Sequence, residues 1–313
     1  NDSSKIAVKN QKSKIISFYG NYHGDTIGAM GVSACDLYSS AFDDFIVNHI
    51  KFYLPKNEGE FNKFDNFLLE NHNNICGVMI EPIIQGAGGM LIYDIKLLEK
   101  LCNIIKKYDI ILIFDECATG FYRTGKAFAF HYLKDIVPDI LVLSKALSGG
   151  VIGLGACVIK EKIFNEFNAN DPSKCFMHGP TFMANPIACR AGIESLKIFQ
   201  STNYEKIIQN IEANFIYCFS NLKNLDIVKD VRIFGAMACV EIPSVINNKK
   251  IDTLILRNEF VKRCLWVSPL YTIHNTIAIY LMPPFSFTKK DIQIMFEGVY
   301  DVLLNIVNYC EIK

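Results

Sequence analysis

An α/β fold, with a large domain on a mostly parallel sheet and a smaller α+β domain at the carboxyl end, is what this chain's pattern predicts. Three observations carry that reading. Two uninterrupted apolar runs, Ile110-Ile-Leu-Ile-Phe-Asp115 and Asp139-Ile-Leu-Val-Leu-Ser-Lys145, suit strands buried on both faces. Ahead of them, Leu97, Leu98, Leu101, Ile104, Ile105 and Tyr108 recur at helical spacing and give one apolar stripe to lay on a sheet. Beyond Asn224 the chain changes to alternating stretches, the mark of a sheet with one covered face.

In chain order, Cys76-Gly-Val-Met-Ile-Glu81 is a short strand closed by Pro82, and the helix of residues 95–108 follows. The runs ending near Asp115 and Leu143 complete a βαβ pattern, with one more strand reaching Ile159. Helices are expected over residues 185–200 and 205–222. These elements assign residues 1–223 to the large domain and 224–313 to the small one. In the latter, residues 231–241 and 276–282 read as strand stretches, and Ile292, Met295, Phe296, Val299, Val302 and Leu303 mark a closing helix. The opening Asn1-Asp-Ser-Ser carries neither an initiator methionine nor a signal-peptide pattern, so the amino end of the large domain is expected to be missing.

Composition narrows the function. The 313 residues are half apolar, ample for a large core and a second domain. Thirty-two basic residues balance thirty-two acidic ones, so no net field recruits nucleic acid or an anionic membrane, and small-molecule substrates are the expectation. The most membrane-like stretch, residues 147–159, is broken by Gly149, Gly150, Gly153 and Gly155 and falls short of the roughly 20 apolar residues a span requires. Eleven cysteines lie scattered in apolar segments without a CxxC pair, which suits reduced thiols in a cytoplasmic protein and argues against a zinc ribbon.

The chemistry lies at the ends of the two runs. Adjacent parallel strands would deliver Asp115 and Lys145, thirty positions apart, to the sheet edge where ligands of open α/β folds bind. A lysine alone there is ordinarily a strand-end residue reaching water, and an Asp-Glu pair ordinarily caps the next turn. Together they suit pyridoxal phosphate, whose aldehyde takes a lysine amine and whose ring nitrogen takes a carboxylate. The glycine-rich segments Gln85-Gly-Ala-Gly-Gly89 and Ser148-Gly-Gly150 are expected to line the cleft with backbone donors. Gly120-Phe-Tyr-Arg-Thr-Gly125-Lys126 has phosphate-loop spacing, but Ala127 stands where a metal-binding hydroxyl belongs. His23 and His178 lack partners at metal-ligand spacing.

Three segments together carry a family resemblance: Phe114-Asp-Glu-Cys-Ala-Thr-Gly-Phe-Tyr-Arg123-Thr-Gly, Leu143-Ser-Lys145-Ala-Leu-Ser-Gly-Gly150 and Glu81-Pro-Ile-Ile-Gln-Gly-Ala-Gly-Gly-Met90. From about Phe18 onward the chain resembles the class III, fold type I pyridoxal phosphate aminotransferases. Tyr22-His-Gly-Asp-Thr-Ile-Gly-Ala-Met30, Cys175-Phe-Met-His-Gly-Pro-Thr-Phe-Met183 and Tyr280-Leu-Met-Pro-Pro284 are similar to their biotin-biosynthesis branch. The resemblance implies that Lys145 holds the cofactor, Asp115 pairs with its ring nitrogen and Tyr22 stacks over the ring. It further implies Gly179 beside substrate, Pro180 and Thr181 at the phosphate from the partner of a homodimer, and Arg123 near the donor. The implied reaction aminates 8-amino-7-oxononanoate to 7,8-diaminononanoate with S-adenosylmethionine as donor.

Two places depart from the family pattern. Trp266-Val-Ser268-Pro269 has a serine where the family places an arginine for the acceptor carboxylate, which leaves open another ω-amino substrate. Asp2-Ser-Ser-Lys5 differs from the family's phosphate cup, and with the short amino end it leaves open a remnant without turnover.

Overall fold

The computed structural model describes residues 12–34, 40–168 and 170–306. Its central sheet contains β1 (Lys14–Phe18), β2 (Ile50–Phe52), β3 (Ile75–Ile80), β4 (Ile111–Asp115), β5 (Ile140–Leu143) and β6 (Ala156–Ile159), in the order β2-β1-β3-β4-β5-β6. All neighbours are parallel except β5 and β6. This is the mostly parallel α/β sheet expected. Register sets the site: Ile80 pairs with Phe114 and Asp115 with Val142, so β3, β4 and β5 end at one edge.

The helix Ile95–Lys106 forms where its stripe predicts. Asp94 caps it by accepting from Leu97 N, and Leu98, Leu101 and Ile105 lie fully buried. Helix Glu58–Asn71 buries Phe61, Phe64 and Leu68 in the same core.

A second sheet holds β7 (Asp230–Phe234), β8 (Met237–Pro243), β9 (Ser268–Tyr271) and β10 (Thr276–Leu281), antiparallel in the order β9-β10-β8-β7. The stretch 231–241 is therefore two strands rather than one. Gly235 turns the chain at φ +58°, and a β-carbon there would meet the Thr124 backbone at 2.6 Å, so only glycine fits the reversal. Helices Tyr204–Phe219 and Lys289–Leu304 cover this sheet through Ile208, Ile211, Phe215, Ile292, Met295 and Val299. No helix among the described residues is long and apolar enough to cross a membrane.

Candidate active site

The strand ends place Asp115 beside the first residue after β3, Glu81, and three positions short of the level of Lys145. Asp115 is buried. Its Oδ2 lies 2.8 Å from His23 Nδ1, and its Oδ1 accepts from Cys117 N at 3.0 Å. Burial alone would raise this carboxyl, but the hydrogen bond and charge of His23 and the Cys117 N–H outweigh it and hold Asp115 below the usual carboxylate range. An anion fixed in orientation results.

His23 is fully enclosed and sits in a chain of polar groups. Asn21 Nδ2 is 3.5 Å from its Nε2, and Gln85 Nε2 donates to Asn21 Oδ1 and, at 3.0 Å, to the Tyr19 carbonyl. Glu81 anchors the loop above: its Oε1 accepts from Tyr22 N at 2.8 Å and its Oε2 from Gly86 N at 2.9 Å. Burial pushes the Glu81 carboxyl up to about 7, against the opposing pull of His23 and those two N–H donors. Tyr22 is thereby held at the same edge as Asp115, with its hydroxyl donating to Asp25 Oδ1.

Lys145 opens a short 3-10 turn after β5, and its side chain is exposed. Its φ of +45° lies in the left-handed region, which costs a lysine about 1 kcal/mol or more. Packing enforces that conformation: Leu147 is buried, Ser144 Oγ donates to Leu154 O, and Ser195 Oγ donates to Ala146 O. The Lys145 charge reaches Cys117, whose thiol is pushed up to about 12, first by burial and then by Asp115, with Lys145 opposing. Amine and carboxylate thus share one edge.

The remaining expected site residues are placed differently. Gly179, Pro180 and Thr181 lie on an exposed segment, with open space around Gly179, and this chain does not fold them onto Lys145. Arg123 is largely buried. Its Nη1 donates to Ala236 O at 3.2 Å and Pro283 O at 2.7 Å, and its guanidinium lies 4.3 Å over the Phe285 ring. Burial lowers it to about 10. Ser268 is exposed at the start of β9, near Trp266, whose ring carries the Arg257 guanidinium at 4.7 Å.

Two glycine-bearing loops turn N–H groups inward: residues 120–126, whose Ala127 already told against a phosphate loop, and residues 85–89, where backbone donors lining the cleft were expected. Residues 120–126 cradle no anion, because Gly120, Tyr122, Arg123 and Gly125 spend their N–H groups on carbonyls of their own turn. In the segment 85–89, Gly86 N goes to Glu81, and Gly89 N goes to the Tyr280 hydroxyl at 3.1 Å. Its glycines serve close approach, since a β-carbon on Gly88 would lie 2.1 Å from the Gly20 carbonyl oxygen. The expected phosphate cup at residues 2–5 falls outside the described residues. No group of three or more metal-ligating side chains exists among the described residues.

Sequence reasoning passed over His23 as a partner of Asp115, because it sought a second histidine rather than a carboxylate. It also left Glu116 without a role. Burial pushes this carboxyl up to about 7 while it accepts from Ala129 N, Phe130 N and Thr119 Oγ1, so it shapes the loop after β4. The signal available was the strand-end Asp-Glu pair itself.

The arrangement fits pyridoxal phosphate on its ring side. Asp115 is kept ionised and retains lone pairs for a protonated ring nitrogen, and Lys145 presents an accessible amine.

Comparison with known proteins agrees. The family profile "Aminotransferase class-III" matches residues 2–303. The adenosylmethionine-8-amino-7-oxononanoate aminotransferase of Buchnera aphidicola subsp. Baizongia pistaciae is 37% identical over 315 residues, covering 95% of this chain and 68% of that protein. Its namesake from Helicobacter pylori is 33% identical over 311 residues, covering 95% and 69%. The crystal structure of the Methanocaldococcus jannaschii protein of that name superposes with a TM-score of 0.85 at 31% identity, over 95% of this chain and 69% of that one.

Proposed function

This chain belongs to the class III aminotransferases, and we propose that it aminates 8-amino-7-oxononanoate to 7,8-diaminononanoate, with S-adenosylmethionine as amino donor. Its cofactor is pyridoxal phosphate, which when bound supplies an electron sink for charge developing at the substrate carbon. The single observation that carries the site assignment is Asp115, held ionised by His23 at the strand edge that also bears Lys145.

From that geometry each residue receives its role. Asp115 keeps a proton on the ring nitrogen by offering it an anion that His23 and Cys117 N already orient. Lys145 would hold the cofactor through Nζ, and that amine, when free, would carry the proton from the substrate carbon to the cofactor carbon. Tyr22, fixed through its backbone by Glu81, covers the ring. Arg123 borders the donor pocket.

Gly179, Pro180 and Thr181 act from the partner of a homodimer. Support comes from the apolar side chains that flank them in the chain: Met177 and Phe182 are 91% and 81% exposed, and Phe176 and Met183 are also uncovered. The chain divides at about residue 223 into a cofactor domain and a smaller domain. Its compartment is the cytoplasm, which the unreactive, buried thiols of Cys102 and Cys239, both pushed up to about 12 by burial, accord with.

Ser268 favours one second reading, a class III transaminase acting on another ω-amino substrate, since an exposed serine offers no charged fork to a carboxylate. The experiment is a visible absorption spectrum with pyridoxal phosphate, then a substrate panel. A band in the wild type that is missing in Lys145→Ala, followed by S-adenosylmethionine-dependent amination of 8-amino-7-oxononanoate, is the expected result. Amination of a different oxo acid would move the assignment to the second reading; no band in either protein would leave an inactive remnant.

A further inference from the structure

A cavity of about 550 Å³ lies outside the transamination site, between the end of β1, the segment after β2 and the β9–β10 turn. That volume falls within the usual range for small-molecule sites. Gln85 stands on its wall and donates to Asn21 Oδ1, so the cavity adjoins the network around Asp115 while containing neither Asp115 nor Lys145.

Its walls are aromatic and its rim is cationic. Tyr19 and Tyr53 pack together at an interplanar angle of 32°, with ring centroids 4.4 Å apart, and Tyr53 is 69% exposed, which leaves aromatic surface for a further flat group. Below them Leu54, Phe64 and Tyr93 are buried, and the Tyr93 hydroxyl donates to Pro55 O, which fixes the floor. Lys56 and Lys63 line the same space, and neither pairs with a carboxylate among the described residues. The one acid lining it, Glu60, is engaged: its Oε2 accepts from Lys56 N and its Oε1 from Asn57 Nδ2, each at 2.7 Å. His274 adds a third nitrogen group from the second sheet.

We propose that this cavity is a second ligand site, which takes an aromatic carboxylate with its ring against Tyr53 and Tyr19 and its anion between Lys56 and Lys63. The ring is chosen by the exposed tyrosine surface, and the charge by two ammonium groups over an apolar floor. The inference stands whether or not the transamination proposal does.

The probe is 2-naphthoate, titrated by calorimetry into the full chain loaded with pyridoxal phosphate. One saturable site is expected. The double variant Lys56→Gln with Lys63→Gln weakens it roughly tenfold or more, as does Tyr53→Ala, because charge-assisted contacts and aromatic stacking are each of that order. Neutral 2-naphthylmethanol binds at least roughly tenfold more weakly than the acid. Lys145→Ala binds the probe as the wild type does. All three cavity positions are exposed, so thermal melts unchanged in the variants confirm that folding is intact. Affinity unaltered by the lysine and tyrosine changes, loss of binding in Lys145→Ala, or no saturable binding would each overturn the proposal.

Discussion

The two halves of the candidate site are held in opposite ways. Around Asp115 this chain's own folding satisfies the polar groups: His23 and Cys117 N bond the carboxylate, Glu81 bonds the Tyr22 loop, and Gln85 bonds Asn21. Around residues 178–181 the segment is exposed, with open space at Gly179, and large apolar neighbours such as Met177 and Phe182 lie uncovered. One half is a product of a single chain's core. In the proposed homodimer the other would be buried by association instead of folding.

Breaking the first half gives the largest effect. Lys145→Ala removes the group that both holds the cofactor and moves the substrate proton, so kcat/KM is expected to fall by roughly 10⁴-fold or more. Thr181→Asp, which sets a carboxylate against the cofactor phosphate, is expected to abolish turnover as well. Mixing the two inactive proteins then discriminates. If Thr181 serves the partner's Lys145, hybrid dimers restore roughly a quarter of wild-type activity, since half the dimers are mixed and each has one intact site. Failure of the mixture to regain activity would return the loop to its own chain.

A smaller effect is expected behind the carboxylate. His23→Ala leaves Asp115 buried with one donor fewer, so pyridoxal phosphate binding, followed by visible absorbance, weakens roughly tenfold and stability drops by about 1–3 kcal/mol. A variant that binds cofactor as tightly as the wild type would show that Cys117 N alone fixes the anion.

The same contrast explains what the sequence made legible. Strands ending at Asp115 and Leu143 were visible because one buried and one half-buried face write an uninterrupted apolar run, and the helix over residues 95–106 because burial on one face writes a stripe. Strand β2, three half-buried residues at the sheet edge, wrote no such pattern, and β9 contains Pro269, which sequence rules demote. His23 went unread as Asp115's partner because their contact spans 92 positions and depends on β1, β3 and β4 lying side by side. Arg123 was legible as buried chemistry only through a family motif, and its bonds to Ala236 O and Pro283 O belong to the joining of two sheets. Contacts made by register, rather than by local pattern, are the ones that single-sequence reading misses.

The smallest expected effect sharpens the comparison within the self-assembled half, where two carboxyls a strand apart respond oppositely to pH. Burial raises Glu81 from 4.5 to about 7, so the folded state binds its proton more tightly than the unfolded chain does. Its contribution is therefore complete below about pH 4.5 and is lost as pH rises toward 7. Asp115, held below the usual range, contributes above its ordinary value and loses that contribution only as pH falls further. The stability advantage of wild type over Glu81→Gln should accordingly shrink as pH rises from 4.5 to 7. Denaturant melts across that window measure it. Because Glu81 lies inside one chain's core, the shrinkage should not change with protein concentration; a concentration-dependent profile would mean that the strand edge, too, is completed by the partner.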